Sequence, residues 1–258
     1  LLRLAIPAVI PDSPNAEWPH LLTSLIAIPA LGAVAMLFLP RQSPKLLQGF
    51  TLAVLGLGFV MSLSLLSVPM TSGWHFQSIH EWIPALGIRY HVAIDGISLW
   101  LVILTTFSTP LAAIAAFGSL KTGIKDLCFS LLLMQAAMIC SFVALDLFLF
   151  YLSFELMLVP MFLIIGVFGG KNSVYAAVKF FIYTFAGSVF MLLAILYMVA
   201  QYKALTGHYS FDYQDLMRLG FPVGTERALF AAFTLAFAIK VPMWPVHTWL
   251  PDRSEERR

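Results

Sequence analysis

Seven long apolar runs, separated by polar connections, dominate this sequence. A helix needs about 20 mostly apolar residues to cross the hydrocarbon core of a bilayer. Because that core holds no water, backbone N–H and C=O groups must pair within the chain, and runs of this length span as helices. The pattern therefore predicts an all-α polytopic membrane protein with one transmembrane domain over residues 1–258. The predicted spans are residues 21–39, 46–68, 94–117, 127–145, 147–167, 174–200 and 228–250.

The scarcity of charge supports the same class. Charged residues make up 11% of the 258 and hydrophobic residues 60%, whereas a soluble domain carries about 25% charged residues. The net charge of +2 is too small to suggest a nucleic-acid partner, so the expected surroundings are the lipid bilayer. The segment Leu1–Ile10 is too short to span and is interrupted by Pro7, which argues against a signal peptide. The chain opens on leucine, which suggests a fragment.

The two cysteines do not form a redox or metal centre in this interpretation. Cys128 and Cys140 lie in one apolar run, and twelve residues of helix separate them by roughly 18 Å. That distance is too long for a disulfide or for a shared metal ion. We therefore expect no cofactor in this chain.

Two connections are longer than the others. Residues 73–94 alternate polar and apolar side chains around Pro84 and Gly87, which predicts a β-hairpin or a hairpin-like loop at one membrane face. Residues 201–227 form a polar stretch between the sixth and seventh runs.

Lys and Arg in the connections predict the orientation, because cytoplasmic loops carry an excess of them. The second and fourth connections offer Arg89, and the longer sixth connection weakens the count with Lys203, Arg218 and Arg227. The count still favours an N-terminus outside. The basic residues of the first, third and fifth connections are Arg41, Lys45, Lys121, Lys125 and Lys171.

Three ionisable residues stand out inside the predicted spans. A charge in mid-membrane costs about 2.5–3.5 kcal/mol on insertion scales, so each is a candidate functional residue. Glu155 lies roughly 12 Å into its span, Lys240 roughly 18 Å and Lys179 roughly 8 Å. Lys179 has an equally weighted alternative, because its four-carbon stem can carry the charge to the interface. A purely structural role for Glu155 is the weaker alternative.

Lys240 is the strongest of the three candidates. Pro242 and Pro245 follow it, and prolines remove backbone donors and break a helix. A charged residue beside a broken helix is the arrangement that transporters use for ion sites, although a merely kinked structural helix stays possible. A lysine and a carboxylate on different helices also form a proton switch, since the separation of the two groups controls their protonation.

Other residues have predicted roles on which the functional hypothesis depends less. Asp95 fits the N-cap of the third span. His247, just past the proline pair, is suited either to proton relay or to packing at the interface. Trp244 and Trp249 are predicted to be aromatic anchors at the membrane surface. Pro160 is predicted to kink its helix.

Four sequence runs carry a resemblance to a known family. They are IDGISLWLVILT, LFLFYLSFELMLVPMFLIIG, AAVKFFIYTFAGSVFMLLAILY and FAIKVPMWPVHTWLPD. They resemble the antiporter-like membrane subunits of respiratory complex I, the proton-pumping NADH:quinone oxidoreductase. The run FELMLVP favours the subunit M (chain 4) type over the L and N subunits and over the Mrp sodium/proton antiporters.

The resemblance implies roles for the residues singled out above. Glu155 and Lys240 match the proton-translocating pair of the family, and Lys179 matches a lysine that is common in the sixth helix. The family fold has two inverted repeats, and this chain covers only part of the first. After Asp252 the family continues differently, so we expect residues 253–258, RSEERR, not to be the native continuation.

The implied function is proton translocation across a bacterial inner membrane, coupled to electron transfer from NADH to quinone. The resemblance assigns NADH, flavin, iron–sulfur clusters and quinone to partner subunits, and it implies L-type and N-type subunits as neighbours. Two alternatives stay open. One is a subunit of a multi-subunit Na⁺/H⁺ antiporter or of a membrane-bound hydrogenase, and the other is a truncated, inactive fragment.

Overall fold

The computed structural model describes residues 20–67, 73–120, 122–170 and 172–250. The expectations about Lys121, Lys171, the first residues and the RSEERR tail lie outside these ranges. The described residues form nine α-helices and one two-stranded sheet. In chain order these are α1 Leu21–Phe38, α2 Pro44–Leu63, β1 His75–Ile83, β2 Ile88–Ile94, α3 Gly96–Ser119, α4 Ile124–Val143, α5 Leu147–Leu156, α6 Leu158–Phe168, α7 Ser173–Thr206, α8 Tyr213–Leu216 and α9 Val223–Lys240.

Six segments of the described chain are long and apolar enough to cross a bilayer. They are α1, α2 with the 3₁₀ turn after it, α3, α4, α5 with α6, and α7. The predicted seventh span, α9, has 18 residues and carries Glu226, Arg227 and Lys240. The predicted polytopic helical fold is confirmed, with six candidate spans and α9, which is as long as α1 but more charged.

Helix α4 is the centre of the first half of the bundle. It packs against α1, α2, α3, α5 and α6, and over half of its apolar window is buried. Apolar residues cover most of its circumference, so neighbours can pack on several sides. Fully buried examples are Leu132 and Ile139.

The predicted β-hairpin is present. Strands β1 and β2 pair antiparallel, and the turn between them ends at Gly87 with φ of 66°. A Cβ atom at Gly87 would collide with the carbonyl group of Tyr209. Only glycine fits both the left-handed backbone and this contact. The hairpin therefore packs closely under the connection between α7 and α8.

A buried carboxylate joins the hairpin to α5. The Asp146 side chain is 0% exposed and accepts hydrogen bonds from the backbone N–H of Phe148 at 2.9 Å and of Leu149 at 3.0 Å, which caps α5. Its second oxygen accepts from the backbone N–H of Arg89 in β2 at 2.9 Å. Burial raises the pKa of Asp146 above its ordinary value, although the three N–H donors oppose this.

A second buried carboxylate joins the hairpin to the connection before α9. Asp212 accepts from His91 Nδ1 at 2.5 Å and from the backbone N–H of Gln214 at 2.9 Å. The other ring nitrogen of His91 lies 2.7 Å from the Gln77 side chain. Burial by itself raises the pKa of Asp212, but the interactions with His91, the backbone N–H of Gln214 and the charge of Arg89 together outweigh it, and the pKa is lower than usual. Three connections are thus fixed together at one end of the bundle.

Asp95 caps α3, as the sequence predicts. One oxygen, Oδ1, accepts from the backbone N–H of Ile97 at 3.2 Å and of Ser98 at 2.7 Å, and from the Ser98 hydroxyl at 2.7 Å. The Ser98 hydroxyl also accepts from the backbone N–H of Asp95, which completes a capping box.

Asp146 and Asp95 therefore differ in their tolerance of asparagine. In Asp146→Asn one side of the amide must present N–H to an N–H donor, which leaves buried donors unpaired at about 1–3 kcal/mol. Asp95→Asn keeps every bond, because one oxygen accepts them all, and asparagine caps helices as well as aspartate does. In membranes holding the complete complex, we expect proteolysis of the connection before α9 to become about 5- to 150-fold faster in Asp146→Asn. Equal cleavage rates in the two variants would contradict this account.

Candidate functional site

The structure brings Lys240 next to the residue that precedes Glu155. Lys240 ends α9, and its Nζ atom donates to the carbonyl oxygen of Phe154 in α5 at 3.4 Å. The same atom lies 4.5 Å from the centroid of the Phe154 ring. The ammonium charge is therefore stabilised by a backbone dipole and by an aromatic face.

Glu155 interacts with Lys240 through space. No direct ion pair joins the two among the described residues, but each group contributes to the electrostatic surroundings of the other. Glu155 Oε1 is enclosed and has no hydrogen-bond partner in the described part of the chain. The carboxyl group also faces the Ser188 hydroxyl of α7. Since an unpaired buried acceptor is costly, such an oxygen is satisfied by a proton or by a water molecule.

The backbone is interrupted beside Glu155. Helix α5 ends at Leu156, and α6 begins at Leu158. Pro160 has no N–H, so the carbonyl of Leu156 lacks its helical donor, as the sequence predicts. The predicted kink is thus a break between two short helices, and it adds backbone acceptors to the surroundings of the carboxyl group.

The chain is also interrupted directly after Lys240, which confirms the predicted break. The N–H of Val241 bonds to Phe237 at 2.8 Å, and the N–H of Met243 bonds to Ala238 at 2.8 Å. No helix continues through the two prolines. The segment 241–249 forms turns.

The two tryptophans after the break behave differently. Trp244 is 83% exposed, as expected of a surface anchor, whereas Trp249 is 4% exposed. The Trp249 ring returns to the bundle and donates from Nε1 to the carbonyl oxygen of Ile239 at 2.9 Å. The prediction of an interfacial anchor is therefore wrong for Trp249, because the broken helix leaves a carbonyl that this indole satisfies.

The two remaining candidates are Lys179 and His247. Lys179 Nζ lies 5.9 Å from the Tyr175 ring centroid, and its position on α7 is about 14 Å along the helix axis from Ser188. His247 lies after the break, and its Nδ1 atom is buried with no partner among the described residues.

Gly187 determines how close α9 comes to α7, and the sequence analysis missed it. A Cβ atom there would lie 2.6 Å from Ile239 Cδ1 and 3.4 Å from Ile239 Cβ. The residue before Lys240 therefore packs directly on the α7 backbone. A glycine beside serine in the middle of an apolar span is the signal that marks this contact.

No group of three or more His, Cys, Asp or Glu side chains in the described ranges is arranged to hold a metal ion. Cys128 and Cys140 are both buried and unpaired with each other.

Known proteins match this chain over most of its length. Residues 144–257 match the family described as NADH:quinone oxidoreductase/Mrp antiporter, TM. NADH-quinone oxidoreductase subunit M of Rhodobacter capsulatus is 48% identical over 203 residues, which cover 75% of this chain and 39% of the relative. NADH-ubiquinone oxidoreductase chain 4 of Marchantia polymorpha is 39% identical over 238 residues, 91% of this chain and 47% of the relative. The chain thus spans less than half the length of these relatives.

Solved structures share the fold. A chain of respiratory complex I from Thermus thermophilus with bound NADH superposes with a TM-score of 0.76 at 29% identity, covering 90% of this chain and 46% of that one. A chain of a membrane-bound sulfane sulfur reductase, an archaeal respiratory membrane complex, gives a TM-score of 0.66 at 23% identity, covering 91% of this chain and 36% of that one. The second likeness shows the fold alone.

The Gly187 contact gives a testable expectation. Gly187→Ala forces Ile239 away from α7, and overpacking of this kind costs about 1–3 kcal/mol. Gly166→Ala is the matched control, because its Cβ meets Ala177 at an ordinary 3.7 Å and alanine favours a helix by about 1 kcal/mol. We expect the thermal midpoint of the complete subunit in its native assembly to fall for Gly187→Ala only. Equal midpoints would show that α9 does not depend on this glycine.

Proposed function

We propose that this chain is part of a subunit M (chain 4), an antiporter-like membrane subunit of the kind described as NADH:quinone oxidoreductase/Mrp antiporter, TM, and that it translocates protons. The observation that carries the proposal is the approach of Lys240, at the end of a broken helix, to the backbone beside Glu155. Two opposite charges on different helices, each costly in mid-membrane, are best explained by a role in moving charge.

The pair holds a proton at two alternative atoms. With Glu155 ionised, the Lys240 ammonium is favoured by the carboxylate, by the Phe154 carbonyl and by the Phe154 ring. When Glu155 Oε1 takes up a proton, the attraction is lost and the enclosed ammonium is favoured less. Lys240 then releases its proton. The Ser188 hydroxyl lies near this carboxyl group, while its own hydrogen bond goes to the Phe185 carbonyl oxygen at 2.8 Å.

The break after Lys240 supplies an exit in this proposal. Freed backbone groups at membrane depth line water or protein. His247, with its unpaired ring nitrogen, follows within the same turn segment and is suited to carry the proton onward. We assign Lys179 to a more distant step of the same path, since it lies near the start of α7.

Electron transfer belongs to partner subunits in this proposal. NADH, flavin, iron–sulfur clusters and quinone would be bound there, and L-type and N-type membrane subunits would adjoin this chain. The chain is then one part of a translocase, with its own contribution confined to the proton. We place it in a bacterial inner membrane with the N-terminus outside, on the strength of Arg41, Lys45 and Lys125 in the first and third connections.

A sodium/proton antiporter is the second candidate, because the matched family includes Mrp antiporters. The identities of 48% and 39% to subunit M and chain 4 favour the redox-coupled assembly. Pumping that requires NADH and quinone, and that continues without sodium, would separate the two.

Glu155→Gln tests the acid of the pair. Glutamine keeps the size of the side chain but removes the charge that favours the lysine proton. In inner-membrane vesicles containing the complete complex, we expect NADH-driven proton pumping to fall about 5- to 150-fold, the usual range of a coupling between two sites. The exposed Glu226 in the first turn of α9 provides the control Glu226→Gln. Full pumping in Glu155→Gln would eliminate an essential role for this carboxyl group.

Lys240→Met tests the base of the pair. Methionine retains much of the apolar stem but cannot hold a proton, so pumping should fall at least as far as in Glu155→Gln. Lys203→Met is the matched control, because Lys203 also lies over an aromatic ring, Tyr209 at 3.9 Å, but at the end of α7. If both lysine variants lose pumping equally, general destabilisation explains the loss and the assignment of Lys240 fails.

A further inference from the structure

Gln135 is a polar residue in the interior of the first four helices. Its side chain is 0% exposed, and its position is about 17 Å along the axis of α4 from Ile124, near the middle of a span about 30 Å long. This region is separate from the Glu155–Lys240 contact, which involves α5, α7 and α9.

Neither polar atom of the Gln135 amide has a hydrogen-bond partner in the described part of the chain. An amide without partners in an apolar interior costs several kcal/mol, and lipid cannot satisfy it. Because the side chain is fully enclosed, a distant segment or a partner subunit has no access to it. The group that satisfies the amide must therefore be small enough to lie inside the bundle.

Gly58 of α2 lies against this amide. A Cβ atom at Gly58 would lie 3.0 Å from Gln135 Nε2, whereas a Cβ atom at Gly49 or at Gly56 meets nothing within 4 Å. Of these three glycines of α2, Gly58 alone borders the amide.

Two hydroxyl groups lie one turn further along the same face of α2. Ser62 follows Gly58 by four residues, so the two share a face about 6 Å apart. The Ser62 and Thr106 hydroxyl oxygens are 2.8 Å apart. The Phe59 carbonyl oxygen lies 2.7 Å from the Ser62 hydroxyl, and the Val102 carbonyl oxygen lies 3.0 Å from the Thr106 hydroxyl.

The Gln135 amide and the Ser62–Thr106 hydroxyl pair have complementary hydrogen-bonding groups. Each hydroxyl has one hydrogen, so two of these three contacts use the hydrogens, and the hydroxyl oxygens keep free acceptor capacity. The Gln135 amide offers two N–H donors and a carbonyl oxygen that needs a donor. Water can both donate to the carbonyl oxygen and link the amide to the hydroxyl oxygens. A buried water ordinarily makes two to four such bonds.

We propose that Gln135 binds internal water, one or two molecules, that connects its amide to the Ser62–Thr106 hydroxyl pair. The water joins α2, α3 and α4 by polar contacts at mid-membrane. None of these side chains carries a charge, so the site holds water as a structural element rather than as a proton carrier. This inference is independent of the proposed transport by Glu155 and Lys240.

The first test is direct observation. A cryo-EM map of the complete complex, at a resolution that shows ordered water, should contain a peak within hydrogen-bonding distance of the Gln135 amide. The peak should be absent in Gln135→Leu, which fills similar space without polar atoms. A wild-type map in which the amide bonds directly to protein atoms, with no water peak, would overturn the proposal. A peak that persists unchanged in Gln135→Leu would overturn it as well.

The second test uses matched glycine variants of the complete subunit. Gly58→Ala and Gly56→Ala gain the same helix propensity, but only Gly58→Ala places a methyl group against the Gln135 amide. We expect Gly58→Ala to lose the water peak and to lower the thermal midpoint of the assembled complex relative to Gly56→Ala. NADH-driven pumping per folded complex should be unchanged in both. Equal midpoints and an unaltered water peak in Gly58→Ala would refute the site.

Discussion

The absence of water from the hydrocarbon core is the constraint on which the rest of this structure depends. A buried polar group must find its partner in protein or in internal water, and the described structure shows how protein groups do this at successive points. Asp95 and Asp146 satisfy the first N–H groups of α3 and α5. Lys125 donates to the carbonyl oxygens of Leu37 and Leu39 at the end of α1. Helix ends, rather than helix interiors, therefore carry the polar side chains that fix the fold.

At the candidate site, the requirement that buried polar groups be paired is only partly met. Two helix breaks, one after Leu156 and one after Lys240, free backbone carbonyls at membrane depth. Trp249 satisfies the carbonyl of Ile239, and Lys240 donates to the carbonyl of Phe154. The lysine is thus placed by a backbone acceptor, with no direct ion pair to the carboxylate in the described part of the chain. A direct, tight ion pair would hold both charges too firmly to exchange a proton.

The sequence predicts the features that depend on local pattern and on the cost of inserting charge. Apolar runs identify the helices, Asp95 identifies a cap, alternation identifies the hairpin, and the two prolines identify the break after Lys240. Features that depend on contacts between distant segments could not be predicted. The bond from His91 to Asp212 joins residues 121 positions apart. Trp249 was misassigned because its type suggests an interface, whereas the carbonyl it satisfies becomes available only once α9 is broken.

Glu155 and Gln135 show that two buried polar side chains can have different roles because their chemistry differs. Both carry buried polar atoms without partners in the described chain. A carboxyl group in that state can change its protonation, and a nearby lysine on another helix makes the change consequential. An amide does not change its protonation near neutral pH, so its N–H and C=O groups must be satisfied by a bound molecule that supplies hydrogen bonds. In our two proposals, burial therefore gives a proton-exchanging pair at the junction of α5, α7 and α9, and a water-mediated link among α2, α3 and α4.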